Sequence, residues 1–180
     1  MDYSLGIFTF LLSVTLVTSL SSSQLSNMKV TKEQMKVICS RSLDPPYCLC
    51  NLNLNSRIDK SNIQALAKST IHLARVYANK TYTVIDSIIN IIGEPKVIEK
   101  YQLCAQNYKE VIARLIEVDR YLASGDYRKM RIEIFSAIEK AQTCEEKVDE
   151  TSKTITPIHD NNLDFIRKCS IIWSISNHLP

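Results

Sequence analysis

Two apolar seams, each carrying one cysteine and separated by four residues, constrain this chain more than any other feature. From Val97 the apolar or small positions run Val97, Tyr101, Cys104, Tyr108, Val111, Leu115, Val118 and Leu122, in steps of four and three. Tyr127, Met130, Ile134, Ala137, Ala141, Cys144 and Val148 repeat the pattern. Such spacing lines one face of a helix. Only Ala123-Ser124-Gly125-Asp126 lies between, with Gly125 suited to a left-handed C-terminal stop and Asp126 to an N-cap. A connection this short makes an antiparallel pair. With the bend at about position 124.5, Cys104 stands ~20.5 residues before it and Cys144 ~19.5 after, a mismatch of about one 1.5 Å rise. The two thiols should face each other, and a bridge closing that loop contributes roughly 4 kcal/mol on the chain-entropy account.

Two further helices complete a body. Ser61 opens a capping box with Gln64, and Ile63, Leu66, Thr70, Leu73, Tyr77, Thr81, Val84, Ile88 and Ile92 follow at helical spacing up to Gly93 and Pro95. Asp160 or Asn161 can cap a last helix with Phe165, Cys169, Ile172 and Leu179 on its apolar stripe, widened by Ile166 and Trp173. No strand-period segment of useful length interrupts this. The expectation is an all-α fold, an up-down-up-down four-helix bundle over residues 59–180. Ahead of it, Thr31–Ser40 and Tyr47–Leu54 read as short helices, and Asp44-Pro45-Pro46 forces a turn between them. Cys39 and Cys48 bracket that turn as a natural local pair, clamping a short helical hairpin over residues 24–58.

Six cysteines and three glycines bound the chemistry. Gly93 and Gly125 are the only glycines beyond Gly6, so phosphate-cradling loops of the Rossmann or P-loop kind are excluded. Leu5–Leu20 is an apolar run followed by Ser21-Ser22-Ser23, the pattern of a cleaved signal peptide over residues 1–23, although Asp2 stands where an early basic residue is usual. That leaves 24–180 as the mature domain, with no later stretch long enough to cross a bilayer. Without the leader the 22 bases face 18 acids, one acid fewer than the 19 of the whole chain. A balance this mild, with both signs mixed along helix faces, gives no basic stripe for nucleic acid. In an oxidising compartment an even set of thiols tends to form bridges, and Cys50 and Cys169 are left over from the two pairs above. His72, His159 and His178 lie far apart, and Cys48-Leu49-Cys50 without a second pair is poor zinc spacing, so no metal or other cofactor is expected. No serine nucleophile motif is present, and no enzymatic activity is expected. Asn79-Lys80-Thr81 is a possible N-glycan acceptor.

Leader, clamped hairpin, bundle and second cystine together resemble the plant invertase and pectin methylesterase inhibitor family. The resemblance spans nearly the whole mature chain. It is carried by Ile38-Cys39 with Asp44-Pro45 and Cys48-Leu49, by Leu103-Cys104 with Asn107-Tyr108, by Ser124-Gly125-Asp126-Tyr127, by Thr143-Cys144-Glu145, and by Ile175–Pro180. The invertase-blocking branch has Pro-Lys-Phe just after the Gly-Asp of the central hairpin, where this chain reads Tyr127-Arg128-Lys129. Ser-Gly-Asp-Tyr and the extra Cys169 look like the other branch. The resemblance therefore implies a secreted, apoplastic protein that binds pectin methylesterase non-covalently and occludes its pectin-binding cleft. Acid invertase of the cell wall or vacuole is the alternative target, and a secreted bundle that binds without an enzyme target is a second alternative.

Gln106, Glu110, Ala113 and Glu117 follow one another at steps of four, three and four, beside the core seam. Thr143 and Glu146 lie on the partner helix. Family members carry polar and acidic enzyme contacts at positions matching Gln106, Glu110, Ala113, Thr143 and Glu146, which the resemblance makes candidate enzyme-binding residues. Ala113 stands where an acid is expected.

Overall fold

A computed structural model describes residues 28–149 and 157–180. The expected leader over 1–23 and the first residues of the expected hairpin segment lie outside the described residues. Six helices follow in order: α1 Lys32–Cys39, α2 Pro45–Leu54, α3 Ile63–Ile89, α4 Pro95–Ser124, α5 Tyr127–Asp149 and α6 Pro157–Ser176. Helices α3 to α6 form the four-helix bundle. Each backbone packs on two neighbours, α4 on α3 and α5, and α6 on α3 and α5, and long side chains reach across the diagonals. No strand occurs among those residues.

The seams of α4 and α5 are the core. Tyr101, Cys104, Tyr108, Val111, Leu115, Val118 and Leu122 are buried on α4, as are Met130, Ile134, Ala137, Ala141, Cys144 and Val148 on α5. Gly125 takes φ 74°, and the N–H of Asp126 reaches the Tyr121 carbonyl at 3.0 Å to close α4. A left-handed residue there is nearly free for glycine and strained for any other side chain. Asp126 Oδ1 then accepts from the Lys129 N–H at 3.1 Å, capping α5. The Cys104–Cys144 disulfide joins the two helices with Cα atoms 4.5 Å apart.

The other helices depart from the sequence reading in instructive ways. The α3 cap is Asn62, which accepts from the Ala65 N–H at 2.8 Å, and not Ser61. With Asn62 as the cap, Gln64 falls at the second helical position and Ala65 at the third, so no capping box forms, and the Gln64 amide donates to the Tyr127 hydroxyl at 3.1 Å. The helix ends at Ile89, short of Gly93. Its buried face is wider than the expected stripe and shifted to one side: Leu66, Thr70 and Thr81 of that stripe are buried, joined by Ala67, Ile71, Ala74, Ala78 and Ile85, while Leu73, Tyr77 and Ile88 sit half-buried at the edge. Small alanines let the neighbouring helices approach, which a search for large apolar residues overlooks. Helix α6 starts at Pro157, so Asp160 lies inside its first turn and not at a cap. Proline with its fixed φ suits a first helical position. Trp173 is more than a third exposed, and Ile158, Ile171 and Ile175 fill the core in its place.

The N-terminal hairpin is clamped by Cys39–Cys48, whose Cα atoms are 5.4 Å apart and whose side chains are fully buried. A reciprocal box between Thr31 and Gln34 starts α1. Asp44 caps α2, and the two prolines form its first turn instead of only preceding it. The backbones of α1 and α2 lie closest to α6. The attachment is polar at its rim. Arg167 pairs with Asp44 at 3.1 Å, and the Lys168 ammonium donates to the Tyr47 hydroxyl oxygen at 2.6 Å and to Asp164 at 3.3 Å while lying over the Tyr47 and Tyr77 rings. Burial alone would raise the Asp164 carboxyl. The Tyr47 hydroxyl and the Lys168 ammonium, followed by Tyr77, outweigh it and hold the pKa below the ordinary 3.8. Burial and the Asp164 charge conversely push Tyr77 up to about 12.

Two measurements test this architecture. Replacing both Cys104 and Cys144 by alanine should lower unfolding free energy by about 4 kcal/mol in chemical denaturation, the loop-closure value. A loss below about 1 kcal/mol would show that noncovalent packing already sets the helix pair. Because the folded-state pKa of Asp164 is depressed, its contribution is complete above the ordinary carboxyl range and is lost as pH falls through the lowered value. Melting temperature followed from pH 5 downward should therefore fall less steeply for Asp164→Asn than for the parent, from a lower starting point.

Candidate functional site

The surface shared by α4 and α5 takes its register from the cystine. In the register fixed by Cys104 and Cys144, the antiparallel helices bring Lys140 to Glu110 at 2.7 Å and, nearer the turn, Arg114 to Glu133 at 3.1 Å. These cross-helix rungs show which side of each helix borders the groove. Glu110 lies there, Gln106 and Ala113 are exposed one turn to either side, and Thr143 and Glu146 follow on α5. Thr143 comes level with Ala105, and Glu146 level with Gln102. The five sequence-derived residues therefore lie on one side of the molecule.

Their states differ. Gln106, Ala113 and Glu146 are exposed, while the Thr143 hydroxyl donates back to the Glu139 carbonyl at 2.9 Å. Glu110 is not a bare carboxylate, since Lys140 answers its charge. Glu117 is drawn to Arg120 on its own helix, with Nε at 2.9 Å. The sequence reading missed the partners Lys140, Arg114 and Glu133. They become visible once positions on the two helices are matched through the cysteines. Beneath the groove, Asn107 Nδ2 is buried with no hydrogen-bond partner among the described residues.

The tip where α4 meets α5 is closed by its own charges. Lys129 bonds to Asp126 at 3.0 Å, and those bonds hold the Asp126 carboxyl below its ordinary value. The Tyr121 ring lies under Arg120 and Lys129, at 4.5 and 5.6 Å. Tyr127, the first residue of the string that differs from the invertase-blocking branch, ties the tip to α3 through Gln64.

A polar chain behind this face escaped the sequence reading altogether. The Tyr108 hydroxyl donates to Asn162 Oδ1 at 2.6 Å, and Asn162 Nδ2 donates to Glu145 Oε2 at 2.6 Å. The other Glu145 oxygen meets His159 Nδ1. Tyr108 and Asn162 are fully buried, so the chain joins α4, α5 and α6 from the centre outward. Burial raises the Tyr108 pKa far above the phenol range, keeping it a donor. A lone asparagine in an apolar stripe carries no sequence signal for such a role.

The remaining sequence candidates are placed as follows. Cys50 is exposed and Cys169 fully buried, both unbridged, and burial drives the Cys169 thiol far up and out of its reactive form. Asn79 is exposed on α3, with Nδ2 donating to the Arg75 carbonyl at 2.8 Å. Among the described residues no group of three His, Cys, Asp or Glu side chains is arranged to hold a metal ion, and no helix is long and apolar enough to cross a membrane. What the arrangement offers is a rigid, hydrogen-bonding surface.

Asn162→Leu should leave the Tyr108 hydroxyl and one Glu145 oxygen without their partner and lower stability by about 2–4 kcal/mol, read from urea unfolding. Asn162→Asp should be worse near neutral pH, where it sets a second carboxylate against Glu145, and should recover in part as the solution is acidified. An unchanged midpoint for both variants would show that the chain of bonds contributes nothing.

Residues 33–175 match the sequence profile of the family described as plant invertase/pectin methylesterase inhibitor. A pectinesterase inhibitor of Actinidia deliciosa is 30% identical over 98% of this chain and 95% of its own length. Pectinesterase inhibitor 1 of Arabidopsis thaliana is 32% identical over 86% of this chain and 87% of its own. The crystal structure of a mutant pectin methylesterase inhibitor from Arabidopsis superposes with a TM-score of 0.75 at 32% identity, covering 82% of this chain and 97% of that one. The chain belongs to the plant invertase/pectin methylesterase inhibitor family, whose members are protein inhibitors of enzymes and not enzymes, and within it stands nearer the pectin methylesterase branch.

Proposed function

We propose that this protein is a secreted inhibitor of pectin methylesterase that lays its α4–α5 face across the enzyme's pectin-binding cleft. The observation that carries the target is the likeness over 98% of the chain to a pectinesterase inhibitor. The geometry supports the mode. A face locked by a cystine and rigid helices can block a groove without any reaction, since no bond need form or break. Gln106, Thr143 and Glu146 supply hydrogen-bonding groups, and the Glu110–Lys140 pair supplies an acceptor and a donor side by side. Ala113 leaves a small apolar gap in that row. Entry into the secretory route through residues 1–23, with a glycan on Asn79, belongs to the same reading: Asn79 is an exposed residue of α3, a helix that contributes no residue to the proposed α4–α5 face.

The test is inhibition by the refolded mature protein of a plant pectin methylesterase and an acid invertase assayed side by side. Inhibition of the esterase alone is expected. Inhibition of invertase alone reverses the target, and inhibition of neither leaves a binding protein without an enzyme partner. Given esterase inhibition, Glu110→Ala with Glu146→Ala should weaken it about 5- to 30-fold, as expected for one or two charged contacts at an interface. An unaltered inhibition constant would remove both residues from the contact surface. Intact mass of the protein exported from plant cells, before and after glycosidase treatment, reads the leader and Asn79 together.

A further inference from the structure

The hairpin backbone lies closest to α6, and where the chain crosses from α2 to α3 a crevice opens above the buried Leu52 and Ile58. A cavity of about 210 Å³ lies there. Its accessible apolar wall is Leu73, Val76 and Tyr77 on α3, backed by the buried Leu52 of α2 and Ile171 of α6. Arg57, Lys80 and Lys168 also border it, beside the half-buried Tyr77 ring. The Lys168 charge is answered by Asp164. Arg57 and Lys80 are exposed and form no ion pair among the described residues, so two positive charges from different elements stand unanswered beside an apolar hollow. The nearest acid in sequence, Asp59, is turned to the Ser61 N–H at 2.8 Å.

We propose that this crevice is a binding site for a small amphipathic carboxylate of a single ring, its carboxylate set between Arg57 and Lys80 and its ring against Leu73, Val76 and Tyr77. The volume admits on the order of ten heavy atoms, which favours one ring over a sugar chain or a lipid tail. Planar guanidinium matches planar carboxylate through two parallel hydrogen bonds, and a half-buried apolar wall gains from losing its water. Such a ligand would touch the α2–α3 crossing, α3 and α6 at once, filling the gap the hairpin leaves. Occupancy should therefore tighten the hairpin against the bundle. This site is separate from the α4–α5 face and does not depend on the target enzyme.

Benzoate is the probe, with benzamide as its uncharged counterpart and inorganic phosphate as an anion without an apolar body. Titration of isotope-labelled protein should give saturable benzoate shifts confined to residues around Arg57, Leu73, Lys80 and Ile171, in the millimolar range. At ten times the dissociation constant the melting temperature should rise by about 3–6 °C. Benzamide and phosphate should each bind at least tenfold more weakly. Arg57→Gln with Lys80→Gln, both exposed and outside the core, should abolish the benzoate response while leaving the unliganded melting temperature within about 1 °C. Non-saturating shifts, equal binding of benzamide or phosphate, shifts mapping elsewhere, or full binding by the double variant would each overturn the proposal.

Discussion

The Cys104–Cys144 bond lies about twenty residues to either side of the turn at Gly125, far enough out to fix the relative slide of two long helices and not only their proximity. Loop geometry near the turn constrains the first rungs, but error in slide accumulates with distance from it. A covalent tie at the far end removes that freedom. Between the two ends, Glu110 meets Lys140 and Arg114 meets Glu133, pairings that a shift of one turn, about 5.4 Å, would break. Exposed pairs of this kind contribute only about 0–1 kcal/mol each, so they report the register more than they set it.

The second constraint works in the other direction, across the bundle. Asn162 has both ends of its amide engaged, with Tyr108 of α4 on one side and Glu145 of α5 on the other, at full burial. An apolar contact tolerates sliding, whereas a buried polar group left unmatched costs about 1–3 kcal/mol. The network thus selects one rotation and height of α6 among those its apolar stripe would allow. The hairpin, docked on α6 by Arg167–Asp44 and Lys168–Tyr47, inherits that placement.

Legibility in the sequence followed the size and regularity of the buried side chains. The α4 and α5 seams repeat large residues at unbroken steps of three and four, and every interior position named from them is buried. Helix α3 carries large residues on two adjoining stripes, and the one with Leu73 and Tyr77 was the more conspicuous. Leu66, Thr70 and Thr81 of that stripe are buried, but the rest of the buried face runs through Ala67, Ala74 and Ala78, which carry almost no hydrophobic signal of their own. Caps were misread for a related reason: Ser61, Gln64 and Asn161 are good capping types, but Gln64 and Asn161 bond to tyrosines of other helices. The candidate surface residues came through a family likeness, and their ion partners through neither pattern nor likeness. Those partners depend on which residues face one another across two helices, a tertiary fact.

Under the proposed binding mode, that pairing changes what the α4–α5 face would ask of the enzyme. A bare Glu110 would favour a cationic group in the opposing cleft, with attraction acting at long range and fading with salt. Paired with Lys140, it presents almost no net charge, so long-range steering from this point is weak. Its two charged groups are instead already held in place, and a partner that meets both with hydrogen bonds orders no further side chain of this rung. A partner that claims Glu110 for its own cation must first separate the pair and leave Lys140 to solvent or to a second acceptor. Ala113 adds no charge to the face. The energetic emphasis therefore moves from charge attraction toward shape and short-range hydrogen bonding on a rigid surface, where affinity depends on how little has to be rearranged.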